Sequence, residues 1–288
     1  MNVSGRITQL LAADEQVVGH SQQTLLLPDG REGIRVYVRD DRGTVPDHID
    51  GLPVLVEVVG RVEHHSLTSI DLTAQLGLDP RTRTRPLVGG ISVSQSPHAP
   101  GDGTLGYFVR RADLLLLLTA AHVLTSQGQS VLQPGTGDGG TNDDMVATTD
   151  TRVYDPAAGI DAAIARIATG VDCTLDINGL GPIATTGPAA LNQVAYKSGR
   201  TTGLTAGMVI DTDCVQTVGG QQFQHQIVVD AFAASGFSQG GDSGSLVVAR
   251  NTAGKLFAIG LITGGSGRIS VVNPIGPVLT RLGVTLAV

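Results

Sequence analysis

The stretch Gly240-Gly241-Asp242-Ser243-Gly244-Ser245, followed by the apolar run Leu246-Val247-Val248, decides the reading of this chain. A serine hydroxyl is a weak nucleophile at neutral pH, so it needs a base, a carboxylate to orient that base and donors for the oxyanion it generates. The glycines ahead of Ser243 permit a tight turn in which the N–H groups of Gly241 and Ser243 converge on one point. A side chain at Gly241 would obstruct that approach. The hexapeptide therefore reads as an activated serine in an oxyanion-binding turn.

The other two groups lie upstream. Thr119-Ala120-Ala121-His122 closes the run Leu114 to Leu118, which puts an imidazole where a buried strand ends and small residues leave room around it. Asp161 heads the apolar segment Ile160-Asp161-Ala162-Ala163-Ile164-Ala165-Arg166-Ile167. Each alone has a plainer explanation, a core histidine, a turn aspartate or a turn serine. Their order along the chain is His, Asp, Ser. That order distinguishes the serine-hydrolase folds, because the same constellation is threaded differently in each. An α/β-hydrolase carries its histidine after the serine. The seven histidines here are His20, His48, His64, His65, His98, His122 and His225, and none follows Ser243. The nucleophile-elbow pattern also fails at Ser245, and that fold is excluded.

With these three blocks the chain resembles the trypsin/chymotrypsin-like serine peptidases, on Thr119-Ala120-Ala121-His122, Asp161-Ala162-Ala163-Ile164 and Gly241-Asp242-Ser243-Gly244. Lys197-Ser198-Gly199-Arg200-Thr201-Thr202-Gly203 resembles a segment of the bacterial branch, the α-lytic protease and streptogrisin type. The layout is similar to intracellular trypsin-like proteins with a small extra N-terminal domain. The resemblance covers roughly residues 86 to 288.

Composition agrees with a mainly β protein. Of 288 residues 39 are glycine and 16% are charged, which suits short strands joined by tight turns. The net charge of −7 gives no general attraction to nucleic acid or to an anionic membrane. Cys173 and Cys214 are the only cysteines and lack zinc-ligand spacing, so no metal is expected. They read as two lone buried thiols, one disulfide after export being the alternative. Met1 to Leu11 shows no basic stretch, apolar core and cleavage site, and five leucines cannot span a bilayer, so a cytoplasmic protein is expected.

Residues 1–85 are expected to form a small α+β domain and linker. Ile7 to Leu11 is a short helix candidate, Gly33 to Arg39 and Pro53 to Val59 are strand candidates, and Asp79 to Pro86 is the linker. Residues 86–288 alternate short apolar runs with glycine-rich loops, the rhythm of β-barrels. The loop Gly135 to Asp144 reads as a flexible, solvated surface loop, its acids lacking the order of a calcium loop.

The resemblance implies a chymotrypsin-like double β-barrel, the first barrel supplying His122 and Asp161 and the second Ser243, with Gly241 and Ser243 as oxyanion donors. It implies that buried Asp242 needs a cation. Leu87-Val88-Gly89-Gly90 resembles a zymogen activation site, but Arg85 precedes Pro86, a poor bond for a trypsin-like activator. Lys197 is therefore expected to pair with Asp242, with Arg200 in reserve. Phe237, Thr263, Gly264 and Gly265 are expected to line the substrate cleft. No acid is evident there, which predicts small or apolar residues at the cleaved position. The function implied is a serine endopeptidase acting on proteins or peptides, without cofactor, and a narrow protein substrate range is expected of it. The alternative is a latent protease or binding protein governed by residues 1–85 or by a regulatory protein partner.

Overall fold

The computed structural model describes residues 5–62, 77–96 and 101–288; His64, His65 and His98 lie outside them. Its architecture is mainly β, built on two large sheets.

The first sheet has the strand order Thr285–Leu286, Tyr107–Arg111, Leu114–Thr119, Ile160–Ile167, Met145–Asp155, Ser130–Leu132, Ile91–Ser96 and Gly103–Leu105. Leu116, Leu117 and Leu118 are fully buried, as are Ala162, Ala163 and Ala165 on the neighbouring strand, and the small alanines let the two strands lie in a tightly filled core. Their antiparallel register pairs Leu118 with Ile164 and Thr119 with Ala163. Continuing that register brings the chain after Ala121 alongside Asp161. The alternating and apolar runs of the sequence thus place two separated residues side by side.

The second sheet contains Val194–Gly199, Gly203–Val218, Gln221–Ala231, Leu246–Arg250, Leu256–Gly265 and Ile269–Pro274, and a short helix, Ile275–Leu282, follows the last of these. The Ser243 turn immediately precedes the Leu246–Arg250 strand. Glycine governs the approach of the two sheets at this point. A side chain at Gly103 would meet Val123 and the Ser243 carbonyl, and one at Gly106 would meet the Gly244 carbonyl.

The N-terminal residues form the expected helix, Gly5–Ala12, and the two expected strands, Glu32–Val38 and Leu52–Val58, which pair in parallel. The strand Val17–Ser21 joins them to the second sheet, pairing Gly19 with Gln216, His20 with Val215 and Ser21 with Cys214. Packing follows the pairing: Val18, Tyr37, Val59 and Val62 share one apolar cluster with Cys214, Val218, Phe223, Val228, Ile269 and Val271. The expected linker is also held in place. Thr84 N–H donates to Gln133 Oε1 at 2.9 Å, and Ser92 N–H donates to the Pro80 carbonyl at 2.8 Å. Cys173 and Cys214 are both free thiols. Among the described residues no helix is long and apolar enough to cross a membrane.

A side chain at Gly19 would meet the Val215 carbonyl and Gln216. Since that carbonyl belongs to a paired strand it cannot move aside cheaply, and Gly19→Ala should cost about 1–3 kcal/mol. Denaturant unfolding measures the loss. Limited proteolysis should find residues 5–62 cut faster in the variant, and equal rates with equal stability would sink this account of the junction.

Candidate active site

His122 follows the Leu114–Thr119 strand, and Asp161 is the second residue of the Ile160–Ile167 strand. The fully buried Asp161 carboxylate receives the His122 backbone N–H on Oδ1 at 3.0 Å, while its Oδ2 lies 2.5 Å from His122 Nδ1. One carboxylate therefore fixes both the backbone and the ring of the histidine. Asp161 is itself held by Asn273 from the second sheet, whose Oδ1 accepts the Asp161 N–H at 3.2 Å and whose Nδ2 approaches the Asp161 carbonyl at 3.4 Å.

Ser243 sits where the sheets meet. Its carbonyl accepts the Thr104 N–H at 2.9 Å, and a side chain at Gly244 would strike Thr119 Oγ1 and the Ala120 N–H, so the serine turn rests on the strand end that leads to His122. Ser243 Oγ is buried and makes no hydrogen bond among the described residues. The turn backbone is constrained on several sides. Gly241 has φ +94°, a conformation favouring glycine, and a side chain there would run into Thr201 and Arg200. Among the described residues nothing accepts the N–H of Gly241 or of Ser243, whereas Asp242 N–H donates to Gln239 and Gly244 N–H to Ile262, each at 2.9 Å. Two turn donors, on either side of the bonded Asp242 N–H, remain available among the described residues.

Asp242 is fully buried and richly satisfied. Its carboxylate accepts from Thr201 N–H at 2.8 Å, Thr202 N–H at 3.2 Å, Gln239 N–H at 3.0 Å and Thr202 Oγ1 at 2.6 Å. Lys197 Nζ, also fully buried, lies 3.4 Å from Oδ2 and donates to the Gly203 carbonyl at 2.9 Å and to Thr202 Oγ1. Burial alone would raise the Asp242 pKa, but the Lys197 charge, the Thr202 hydroxyl and the Gln239 and Thr201 N–H groups outweigh it and hold the carboxyl below its ordinary value. Burial lowers Lys197 more than Asp242 raises it. Arg200 does not serve as the reserve partner. Its guanidinium is committed to the first half of the molecule, with Nη2 2.5 Å from Asp138 Oδ1 and 3.3 Å from Asp102 Oδ2, and Nε 2.6 Å from Asp138 Oδ2. Asp138 lies on the glycine-rich loop, so that loop is pinned next to the serine turn.

The expected cleft residues divide. Thr263, Gly264 and Gly265 end the Leu256–Gly265 strand; Thr263 is buried with Oγ1 accepting from Asn273 Nδ2, and Gly264 and Gly265 pair with Val271 and Ser270. Phe237 is fully enclosed by a core cluster that includes Ala195, Val209, Ile227, Val229, Val247 and Val272, so its ring packs in the interior of the second sheet. Its neighbour Ser238 is bonded to Ser270, Oγ to Oγ, at 2.6 Å. Leu87–Gly89 is a short strand at the edge of the second sheet, paired in parallel with Cys173–Ile177. Sequence reasoning did not single out Thr104 or Asn273, which carry no motif of their own, and Thr201 and Thr202 stood unremarked in the segment quoted for Lys197.

The family described as Trypsin matches residues 81–279, more than half of the chain. The chain belongs to the trypsin family. Solved structures agree on the fold. Thermobifida fusca protease A superposes with a TM-score of 0.55 at 22% identity, covering 69% of this chain and 97% of that one. Cellulomonas bogoriensis chymotrypsin gives 0.53 at 20% identity, with 69% and 97% covered. A glutamic-acid-specific serine protease, described as using a histidine triad in substrate binding, gives 0.55 at 20% identity with 70% and 100% covered. No curated protein sequence matches. The trypsin fold accounts for the two curled sheets, and the match begins at residue 81, inside the expected linker.

Removing one member of a buried ion pair strands the other charge, so Lys197→Met should destabilise this trypsin-family protein by about 3–5 kcal/mol, with partial recovery in Lys197→Met/Asp242→Asn. Urea unfolding at neutral pH measures both. The pH sign is fixed by Asp242: a carboxyl held below 3.8 contributes stability that is complete above that pH and is lost as pH falls through its folded value. The double variant should lack that part of the acid sensitivity. Equal acid sensitivity would remove Asp242 from the account.

Proposed function

We propose that this protein is a serine endopeptidase in which Ser243 is the nucleophile, His122 the general base and acid, and Asp161 the carboxylate that orients the imidazole. The observation that carries the reading is the 2.5 Å contact of His122 Nδ1 with Asp161 Oδ2, made on the strand end against which the Ser243 turn is packed. Asp161 accepting at Nδ1 selects the tautomer whose Nε2 can take a proton. The Ser243 hydroxyl attacks a peptide carbonyl, His122 accepts its proton and returns it to the departing amine, and an acyl-enzyme forms on Ser243. Water then attacks the ester by the same route in reverse. The N–H groups of Gly241 and Ser243 bind the oxyanion in both steps.

For the substrate, we propose small or apolar side chains at the cleaved position. Thr263, Gly264 and Gly265, the residues expected to line the cleft at the end of the Leu256–Gly265 strand, carry no charge. The Lys197–Asp242 pair supplies the internal cation that a freed N-terminus supplies in trypsin, so activity requires no cleavage near residues 86–88.

Fluorophosphonate treatment followed by intact-mass measurement tests the chemistry. One adduct is expected on the native chain and none on Ser243→Ala. On peptide substrates, Ser243→Ala and His122→Ala should each lower kcat by roughly 10⁴- to 10⁶-fold. A folded native chain that takes no adduct, or a library in which basic residues are preferred at the cleaved position, would overturn the corresponding half of the proposal.

A further inference from the structure

We propose that Thr201 is a positioning residue of the oxyanion-binding turn: its hydroxyl holds the Gly240 carbonyl and thereby sets the direction of the Gly241 N–H. The inference rests on the reading of Ser243 as nucleophile and of the Gly241 N–H as an oxyanion donor.

The geometry is local and directional. Thr201 Oγ1 lies 2.5 Å from the Gly240 carbonyl oxygen and 3.4 Å from Arg200 Nη1. A guanidinium can only donate and a carbonyl can only accept, so the single hydroxyl proton is committed to Gly240. The Gly240–Gly241 peptide is trans, and a planar trans peptide points its N–H opposite to its C=O. Holding the Gly240 oxygen toward Thr201 thus aims the Gly241 N–H to the other side.

This peptide needs such a hold more than most. Rotating it changes ψ of Gly240 and φ of Gly241, and neither residue has a Cβ to resist the rotation. The following carbonyls have their own anchors: Gly241 O accepts from Thr104 Oγ1 at 2.8 Å, and Asp242 O accepts from Ser245 N–H at 2.9 Å and from Ser245 Oγ at 2.6 Å. Among the described residues Thr201 alone holds the Gly240 carbonyl. Thr201 is itself fixed, because its backbone N–H donates to Asp242 Oδ1 at 2.8 Å and the neighbouring Arg200 guanidinium is clamped by Asp138 and Asp102. The glycine-rich loop that carries Asp138 thereby supports the oxyanion turn.

Thr201→Val removes the hydroxyl with little change of shape, Thr201→Ser keeps it, and Thr201→Ala serves if the valine variant does not fold. On a peptide substrate Thr201→Val should lower kcat on the order of 10²-fold, the loss expected when one oxyanion donor is removed. KM should change little and the acid limb of the pH profile should stay in place. Affinity for a peptide aldehyde, whose adduct bears the oxyanion, should fall in parallel with kcat/KM, and Thr201→Ser should recover both. A crystal structure of Thr201→Val should show the Gly240–Gly241 peptide turned. A retained kcat, or an unturned peptide whatever the activity, overturns the proposal. If the native chain forms no fluorophosphonate adduct the reading of Ser243 fails by itself, and the orientation of the peptide in the variant still decides the role of Thr201.

Discussion

A carboxylate enclosed in protein must be supplied with donors and a counter-charge, and Asp242 imposes that requirement on everything around the serine turn. Its two oxygens draw in the backbone of Thr201 and Thr202, the N–H of Gln239, the Thr202 hydroxyl and the Lys197 ammonium. Two chain segments far apart in sequence are thereby locked together. The approach is so close that Gly199 has no room for a side chain, since one would run into Asp242 Oδ1 and Ser245 Oγ. The position of Ser243 is therefore set by the satisfaction of the charge beside it, and its own hydroxyl is left without a structural bond among the described residues. A group that is structurally uncommitted is available for chemistry.

The same logic operates between the sheets. His122 and Asp161 come from one and Ser243 from the other, so their alignment depends on contacts that cross the boundary. Thr104 is central to these: its N–H donates to Ser243 O, its hydroxyl accepts the Arg200 N–H at 3.0 Å and donates to Gly241 O, and its carbonyl accepts Thr119 Oγ1 at 2.7 Å. Asn273 does the corresponding work for Asp161. Reaction geometry is sensitive to displacements of about 1 Å. Hydrogen bonds from side chain to backbone, the Thr104 N–H and close glycine contacts are the means by which two separately built sheets hold such a tolerance.

The features legible in the sequence were those with local pattern. Apolar runs ending in a chemistry-bearing residue gave the strands that carry His122 and Asp161, and the glycine-rich turn marked Ser243. Lys197 was found through the family segment around it. What could not be read was where buried side chains point. Counting back from Ser243 located Phe237 along the chain but not which side of the strand layer its ring enters. Arg200 was legible as a cation near Asp242, yet its choice of Asp138 and Asp102 depends on a loop whose composition suggests solvation. That loop is held because Ser92 Oγ donates to Asp138 at 2.6 Å and Gly137 N–H donates to Asp102 at 3.1 Å, neither of which leaves a local signature. Asn273 illustrates the limit, being one polar residue whose meaning comes wholly from its partners.

The N-terminal residues show how the same backbone physics extends beyond the site. The strand Val17–Ser21 adds to the far part of Gly203–Val218, Tyr37 is fully buried there, and its hydroxyl donates to Asp211 at 3.2 Å. Asp211 is pushed up to about 6 by burial, so this contact joins a phenol to a carboxyl that gives up its proton reluctantly. On the same hairpin Gln226 Nε2 donates to the Gly159 carbonyl at 3.0 Å, two residues before Asp161, and Gly159 lacks room for a side chain because the Gln224 carbonyl occupies it. The hairpin thus has the N-terminal sheet on one side and the turn into the Asp161 strand on the other. Because Val18, Tyr37, Val59 and Val62 share its apolar cluster, removing residues 5–62 would expose that cluster as well as the strand edge. Loss of activity in a truncated chain would therefore report a damaged hairpin before it reported a missing regulator.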